Sequence, residues 1–471
     1  MAKQPSVLWL TLESTRADHT PMYGYDRNTT PNLAKLADRE DAVLLENMVS
    51  ASNWTRPSTA SMLTGTHYST HNTGGRGARG TKLPDHLATL PEYLSDTGYD
   101  TALFSPAPQI SSDTGLDRGF DHYELIDVGV ENFLPGSEYF GESWRTLLHH
   151  LISEPGWNPL EAIKDADDMN HMQFQRFKDW FQERDRSDHP YFAYAHIWSP
   201  HSPFQPIKRY RDLFFDDLGM DLGEAYEFAR HEYQNLTEKI ANGEMFSERE
   251  WSAMKALYDS EVRYADEILG KMVDLVESVS EELIIIVTGD HGELFGEKEV
   301  ISHKIILHDG AIKVPGVVVG IDGVKDRDGE MSQHIDLTKT VGEVLDVPTS
   351  QFEGNDLRGE MREFAIAQRR EWEFSDYTDI NPDFDHKKYI KEPYTAVCSP
   401  EFKLIESESH QLLYELPNED TDVSGEYPEV VKSMTKEIDR QGIVWDDAFE
   451  RDTATFDNSA EQRLRDLGYL S

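Results

Sequence analysis

A single cysteine, Cys398, in 471 residues excludes a disulfide framework and any multi-thiolate metal site. Basic residues are scarce too: 45 Lys and Arg stand against 88 Asp and Glu, a formal net charge of −43. A chain so poor in positive charge can hardly build the basic face that a phosphate backbone requires, so no nucleic-acid partner is expected. Long apolar runs are also lacking. No stretch approaches the ~20 apolar residues of a membrane span. The opening apolar run, 7–12, is too short for the core of a secretion signal and has no cleavage pattern after it. The expected setting is cytoplasmic, with no integral membrane segment.

Core-forming material is plentiful, with 38% hydrophobic and 11% aromatic residues, too much for a disordered polyelectrolyte. The expected molecule is globular with an acid-coated surface. Such a surface repels itself until salt screens it, a balance familiar from halophiles, and the charge is read as halophilic surface chemistry rather than as a ligand site.

Short apolar runs at 7–12, 101–104, 191–197, 283–287 and 314–319 read as strands buried on both faces, and segments of helical periodicity separate them. The pattern is βαβ and predicts a mostly parallel sheet flanked by helices. The strongest helix signal begins at Ser247 with Glu250 three residues on, a capping box, and carries Met254, Leu257, Tyr258, Val262, Ala265, Ile268, Leu269, Met272 and Leu275 on one face. From about 350 the texture changes, and 394–397, 403–406 and 411–416 read as short antiparallel strands. The expected organisation is a catalytic α/β domain over 1–350, containing an insertion at 128–188, and a smaller C-terminal antiparallel subdomain over 351–471.

Ligands of open α/β sheets sit beyond the carboxyl ends of the strands. Three of the strands end in ligand-type residues: Glu13 after the first, Asp290-His291 after Thr288-Gly289, and His196 with His201 after the third. A carboxylate directly behind a buried strand is costly unless it caps a helix, pairs with a cation or binds a metal. Together Glu13, Asp290 and His291 suit a hard divalent ion. The stretch 53–65 has the grammar of a helix start, with Pro57 at the expected first helical position and Gly65 as the stop. Thr55 then sits where backbone N–H groups favour an oxyanion, and coordination to a divalent ion would lower the pKa of its hydroxyl. His196 is read as core packing and His308 as a surface residue.

The run from Glu13 to Asp18, Tyr23-Gly24-Tyr25, Thr30-Pro31-Asn32, the stretch Thr55-Arg56-Pro57 to Gly65, Pro200-His201-Ser202-Pro203, Thr288 to Glu293 and His303-Lys304 to Asp309 resemble, in order, the motifs of sulfatases in the alkaline phosphatase superfamily. The resemblance extends from Val7 to about Val319 and weakly beyond. It implies an alkaline-phosphatase-like α/β fold and hydrolysis of an ester of a small molecule or glycan, with Thr55 in the nucleophile position. It also implies that His201, His303 and Lys304 surround the ester oxygens and the leaving group, with Arg56 beside the nucleophile.

Two departures stand out. Sulfatases carry a Cys or Ser that is oxidised to formylglycine, supported by an Arg four residues later; this chain has Thr55 and Thr59. Sulfatases also open with two adjacent Asp ligands, where this chain has Glu13-Ser14. The set Glu13, Thr55, Asp290 and His291 is similar to the metal site of phosphoglycerol transferases of the lipoteichoic acid synthase type, which use an unmodified Thr. That similarity implies one divalent ion (Mn2+, Ca2+ or Mg2+) and hydrolysis or transfer of a phosphate or sulfate ester. The alternatives are a sulfatase working without formylglycine and a non-catalytic metal-binding protein.

Overall fold

In β1 (Ser6–Leu12) alternate side chains serve two cores: Val7 and Trp9 face one side of the sheet, Leu8, Leu10 and Leu12 the other, and all five are essentially unexposed. Each such side chain contributes about 1.5–3 kcal/mol by leaving water, which is why an unbroken apolar run is stable only at the centre of a covered sheet. The computed structural model describes residues 4–75, 80–126, 169–184, 189–215, 219–280, 282–325, 329–359, 362–445, 452–456, 461 and 464. The strands that follow are β2 (Ala42–Leu44), β3 (Met48–Val49), β4 (Asp100–Ser105), β5 (His122–Leu125), β6 (Tyr191–Ile197), β7 (Leu283–Gly289), β8 (Gly316–Val319) and β9 (Ser332–Gln333). Seven of them form one sheet in the order β2-β8-β7-β1-β6-β4-β5. The block from β7 to β5 is parallel, whereas β8 runs antiparallel to both of its neighbours.

Helices cover both faces. Thr55–Thr64, Leu90–Asp96 and His334–Val344 pack on the Trp9 side; Pro31–Ala37, Met169–Glu183 and Glu248–Glu277 pack on the Leu10 side. The capping box appears as expected, with Glu250 N–H donating to Ser247 Oγ (3.4 Å) and Ser247 N–H to Glu250 Oε2 (2.7 Å). Residues 128–188, read as an insertion, lie largely outside the described residues. Their described part is mainly the Met169–Glu183 helix, whose Phe177 and Phe181 belong to the core. Among the described residues no helix is long and apolar enough to cross a membrane.

The second sheet is antiparallel: β10 (Ala365–Arg369), β11 (Tyr394–Cys398), β12 (Phe402–Ser407) and β13 (Gln411–Glu415), in that order. One face, through Ala365, Ala367, Tyr394 and Ala396, packs on Ile305, Leu307 and Ile312. The other, through Ile366, Val397, Leu404 and Leu413, packs on Val431 and Met434 of the Pro428–Arg440 helix. The loop 303–309 thereby packs on the small sheet through Ile305 and Leu307.

Candidate active site

Register assembles the site. Leu12 pairs with Ile197 of β6 and with Gly289 of β7, so the residues that follow β1 and β7, Glu13 and Asp290, leave the sheet side by side. The ladder runs one step further: Glu13 N–H donates to Ile197 O (3.0 Å) and Asp290 N–H to Leu12 O (3.3 Å). His196 pairs with Thr11 one position back and donates from Nε2 to Glu13 Oε2 (2.6 Å). Its expected core-packing role is therefore incomplete, because parallel register turns a buried strand residue into a partner of the neighbouring strand's terminal carboxylate.

Thr55 approaches from the other side. Its helix spans Thr55–Thr64, is buried throughout, and ends at Gly65, whose φ of +65° is a left-handed cap. A Cβ on Gly65 would stand 2.7 Å from the Phe352 ring, so glycine is required there for space as well as conformation. The helix begins two residues earlier than the sequence suggests, with Thr55 its first and Pro57 its third residue. Proline is tolerated there because first-turn N–H groups have no intrahelical acceptor in any case. Trp54, the residue before the helix, makes no side-chain cap, which leaves the dipole's positive end at Thr55 uncapped by any side chain. The approach loop is tied in place by the Ser50 hydroxyl, within hydrogen-bond range of Asp290 O and 3.1 Å from Ser58 Oγ.

The side chains converge. Thr55 Oγ1 lies 3.4 Å from both carboxylate oxygens of Glu13 and 3.3 Å from His291 Nε2. His291 Nε2 is 3.2 Å from Glu13 Oε1 and 3.3 Å from Asp290 Oδ2. All four residues are buried. Asp290 Oδ1 accepts from the N–H groups of Ser14 (2.9 Å) and His291 (2.8 Å), and Oδ2 has no hydrogen-bond partner among the described residues. His291 Nδ1 donates to Gly292 O (2.8 Å), which aims Nε2 at the cluster. Ser14 holds φ at +48°, a left-handed conformation costing about 1 kcal/mol or more. Its N–H bond to Asp290 and its carbonyl's bond from Tyr258 (2.8 Å) maintain it.

This donor set fits a divalent cation: two carboxylates, an imidazole with an oriented lone pair and one hydroxyl, with ligand atoms of Glu13, Asp290 and His291 all within 4.8 Å of one another. Electrostatics agree. Burial and the nearby Glu13 charge push Asp290 up to about 6. Burial also disfavours ionised Glu13, but hydrogen bonds from His196 and His291 hold it well below the usual carboxylate range. Burial works against protonated His291, yet Asp290 and Glu13 raise it to about 9. The two carboxylates thus favour a cationic partner between them, the place a protonated His291 takes without a metal.

Behind it stands a row of imidazoles. The His291 and His303 rings are 4.5 Å apart, His303 and His201 are 5.8 Å apart, and His201 stacks on Trp198 at 4.4 Å. His303 Nδ1 bonds Glu293 Oε2 (2.9 Å), and burial pushes Glu293 up to about 7. Burial lowers His201 to about 4 and depresses Lys304, which the Glu293 and Asp376 charges partly restore. Arg56, expected beside the nucleophile, is fully buried: Nε donates to Gln109 Oε1 (2.7 Å) and the guanidinium lies 5.7 Å from the Trp54 ring. His308 is a capping residue rather than a surface one, its Nδ1 accepting from Gly310 N–H (3.1 Å).

Sequence reasoning gave no role to Glu293 or to Asn53, whose Nδ2 donates to His303 O (3.0 Å) and Ile306 O (3.2 Å). Glu293 lies within the Asp290-His291 motif, so its spacing offered a signal; nothing local marks Asn53, which acts 250 residues away.

Comparison with known proteins places this geometry. The uncharacterized sulfatase YidJ of Escherichia coli (strain K12) is 22% identical over 367 residues, 73% of this chain and 68% of that protein. The phosphonate monoester hydrolase of Agrobacterium radiobacter superposes with a TM-score of 0.69 at 19% identity, covering 93% of this chain and 95% of that one. A protein solved in complex with its substrate D-glucosamine-2-N,6-O-disulfate superposes with a TM-score of 0.64 at 16% identity, covering 93% and 97%. The sulfatase family model matches residues 5–347, the span that supplies Glu13, Thr55, His201, Asp290, His291, His303 and Lys304, and the chain therefore belongs to the sulfatase family.

Proposed function

We propose that this sulfatase-family protein is a metal-dependent ester hydrolase acting through Thr55 on a phosphate or phosphonate ester of a small molecule or glycan. The observation that carries the reading is the position of Thr55 Oγ1, 3.3–3.4 Å from three ligand atoms of Glu13 and His291. Glu13, Asp290, His291 and Thr55 would hold one divalent ion, which supplies Lewis acidity that lowers the hydroxyl pKa and neutralises a non-bridging oxygen.

The Thr55 hydroxyl attacks phosphorus in line and forms a Thr55 O–P bond as the bond to the alcohol oxygen breaks. Its proton passes to the carboxylates of the cluster, through Glu13 in contact with it to the more basic Asp290. His201, His303 and Lys304 surround the departing oxygen, and Lys304, the cationic member of the group, returns a proton to it, so the alcohol leaves neutral. Water then hydrolyses the phosphothreonine, which frees inorganic phosphate or phosphonate. Thr55 bears on the choice between sulfur and phosphorus. A threonine cannot become the aldehyde hydrate through which formylglycine sulfatases release sulfate, whereas displacement at phosphorus needs no aldehyde.

The test is turnover of aryl sulfate, phosphate monoester, phosphonate monoester and phosphodiester with Mn2+, Mg2+ or Ca2+ in high salt, followed by intact mass after trapping with the best substrate. A phosphoryl adduct on the Thr55 peptide is expected. Turnover of the sulfate alone would replace this reading by a sulfatase working without formylglycine. Absence of all turnover by metal-loaded protein would replace it by a binding protein.

A further inference from the structure

Several buried arginines in this acidic chain meet carboxylates: Arg16 pairs with Asp18 and Glu297, Arg362 with Asp336, and Arg370 with Glu371. Arg369 does not. It ends β10, is 4% exposed, and its one hydrogen bond among the described residues runs from Nη1 to the carbonyl of Ile305. Among the described residues the ionisable groups that act on it are the phenols of Tyr394, Tyr377 and Tyr68, with no carboxylate. Leaving a guanidinium desolvated and without a counter-charge is costly, the more so where 88 acidic residues were available to pair with it.

The surroundings are rich in unused donors. Arg369 Nε and Nη2 make no bond to the described protein, and neither is sealed from solvent. The Arg369 guanidinium stacks 4.5 Å from the half-buried Trp372 ring, and the Trp372 indole N–H also lacks an acceptor among the described residues. Location gives these donors a meaning. Ile305 follows Lys304 and lies two residues from His303, at most ~7.6 Å along the chain. On the opposite flank Gln368, adjacent to Arg369, donates its N–H to Ala51 O (2.9 Å), four residues before Thr55. Hydrogen bonds thus tie the Gln368–Arg369 segment both to the loop that leads to Thr55 and to the loop that carries His303 and Lys304.

We propose that Arg369, stacked on Trp372, binds a second oxyanion carried by the alcohol portion of the substrate, so that the preferred ester is one whose alcohol is itself anionic. This rests on the ester-hydrolase reading for the word substrate; the donor site can be tested without it. A planar carboxylate meets the guanidinium through two parallel N–H bonds, and a tetrahedral sulfonate or sulfate can use the same donors.

The test compares phenyl, 4-carboxyphenyl and 4-sulfophenyl esters of phosphate and sulfate on metal-loaded wild type, Arg369→Gln and Arg369→Lys, and also measures binding of the free alcohols phenol, 4-hydroxybenzoate and 4-hydroxybenzenesulfonate by calorimetry. The wild type is expected to prefer the anionic members. In Arg369→Gln the KM ratio of anionic to neutral ester should rise by about 10- to 100-fold, the loss of a charge-assisted bond pair, with partial rescue in Arg369→Lys. Equal losses on neutral and anionic esters would mean that Arg369 merely supports the Ile305 loop, and would overturn the proposal. If no ester turns over, the ester-hydrolase reading fails and the calorimetry decides. Preferential binding of the anionic alcohols that disappears in Arg369→Gln supports the site, and binding indifferent to either change overturns it.

Discussion

At the carboxyl edge of the large sheet, Glu13 and Asp290 share two imidazoles, and the burial of Asp290 beside Glu13 raises its carboxyl to about 6. Beneath the small sheet, Asp309 and Glu419 share the ammonium of Lys403, which is fully buried, 2.9 Å from Glu419 and also in contact with Asp309. There Lys403 and Lys313 hold Asp309 well below the usual range against the cost of burial. Both clusters are charged and dry, but the second is closed on itself, with each charge answered by a side chain. The first has only imidazoles to set against its carboxylates, and it directs ligand atoms inward. A buried ion pair that satisfies itself is architecture, whereas one that does not is a place for an ion or a substrate.

The contrast breaks most visibly at Thr55. Thr55→Ala should reduce kcat by about 10³-fold or more while melting temperature and divalent-ion affinity stay near wild type, because Glu13, Asp290 and His291 remain as ligands. A variant that loses metal and activity together would make Thr55 a structural ligand only. The closed cluster should fail in stability instead. Lys403→Met leaves Asp309 and Glu419 facing each other undischarged, and a loss of about 3–5 kcal/mol is expected in denaturant titration. Asp290→Asn in metal-free protein should do the reverse, since it relieves the repulsion between two buried carboxylates while keeping the acceptor for Ser14 and His291. Stability should hold or rise by about 1 kcal/mol, and the stabilisation given by added divalent ion should vanish.

Histidines extend the comparison to pH. His291 lies between carboxylates, but the Nδ1 atoms of His71 and His334 accept backbone N–H groups, from Thr73 (2.9 Å) and Ala51 (3.3 Å), and so must be neutral. Burial lowers them to about 3 and about 4. Because the unfolded chain binds these protons near pH 6.5 and the folded one does not, their stability is complete above 6.5 and declines as pH falls. The slope is about 1.4 kcal/mol per pH unit for each histidine until its folded value is reached. A melting temperature level from pH 7 to 5 would contradict it. The smallest effect per residue is that of salt on the acidic surface: with −43 charges, melting temperature should climb steadily from dilute buffer to molar KCl.

Much of this was legible in advance. The runs at 7–12, 191–197 and 283–287 became β1, β6 and β7 with nearly the bounds expected, because a strand covered on both faces must be apolar at every position. Strand direction was not legible: the run at 314–319 contracted to β8 and turned antiparallel, which a uniformly apolar segment does not encode. Glu13, Asp290 and His291 stood out as polar residues directly behind apolar runs. His196 did not, since a histidine inside such a run resembles core until its neighbour is known.

The sequence by itself determined the layered α/β architecture, the excess of acidic residues, and the residue types able to bind a cation, because apolar periodicity and composition are local properties of the chain. Only the tertiary structure decided which of those residues meet. Parallel register joined Glu13, His196 and Asp290 across 277 positions of sequence, and the antiparallel sheet carried Arg369 to the carbonyl of Ile305, 64 positions away. Contacts of such separation depend on how helices and strands pack as whole bodies, and no window of residues records that packing.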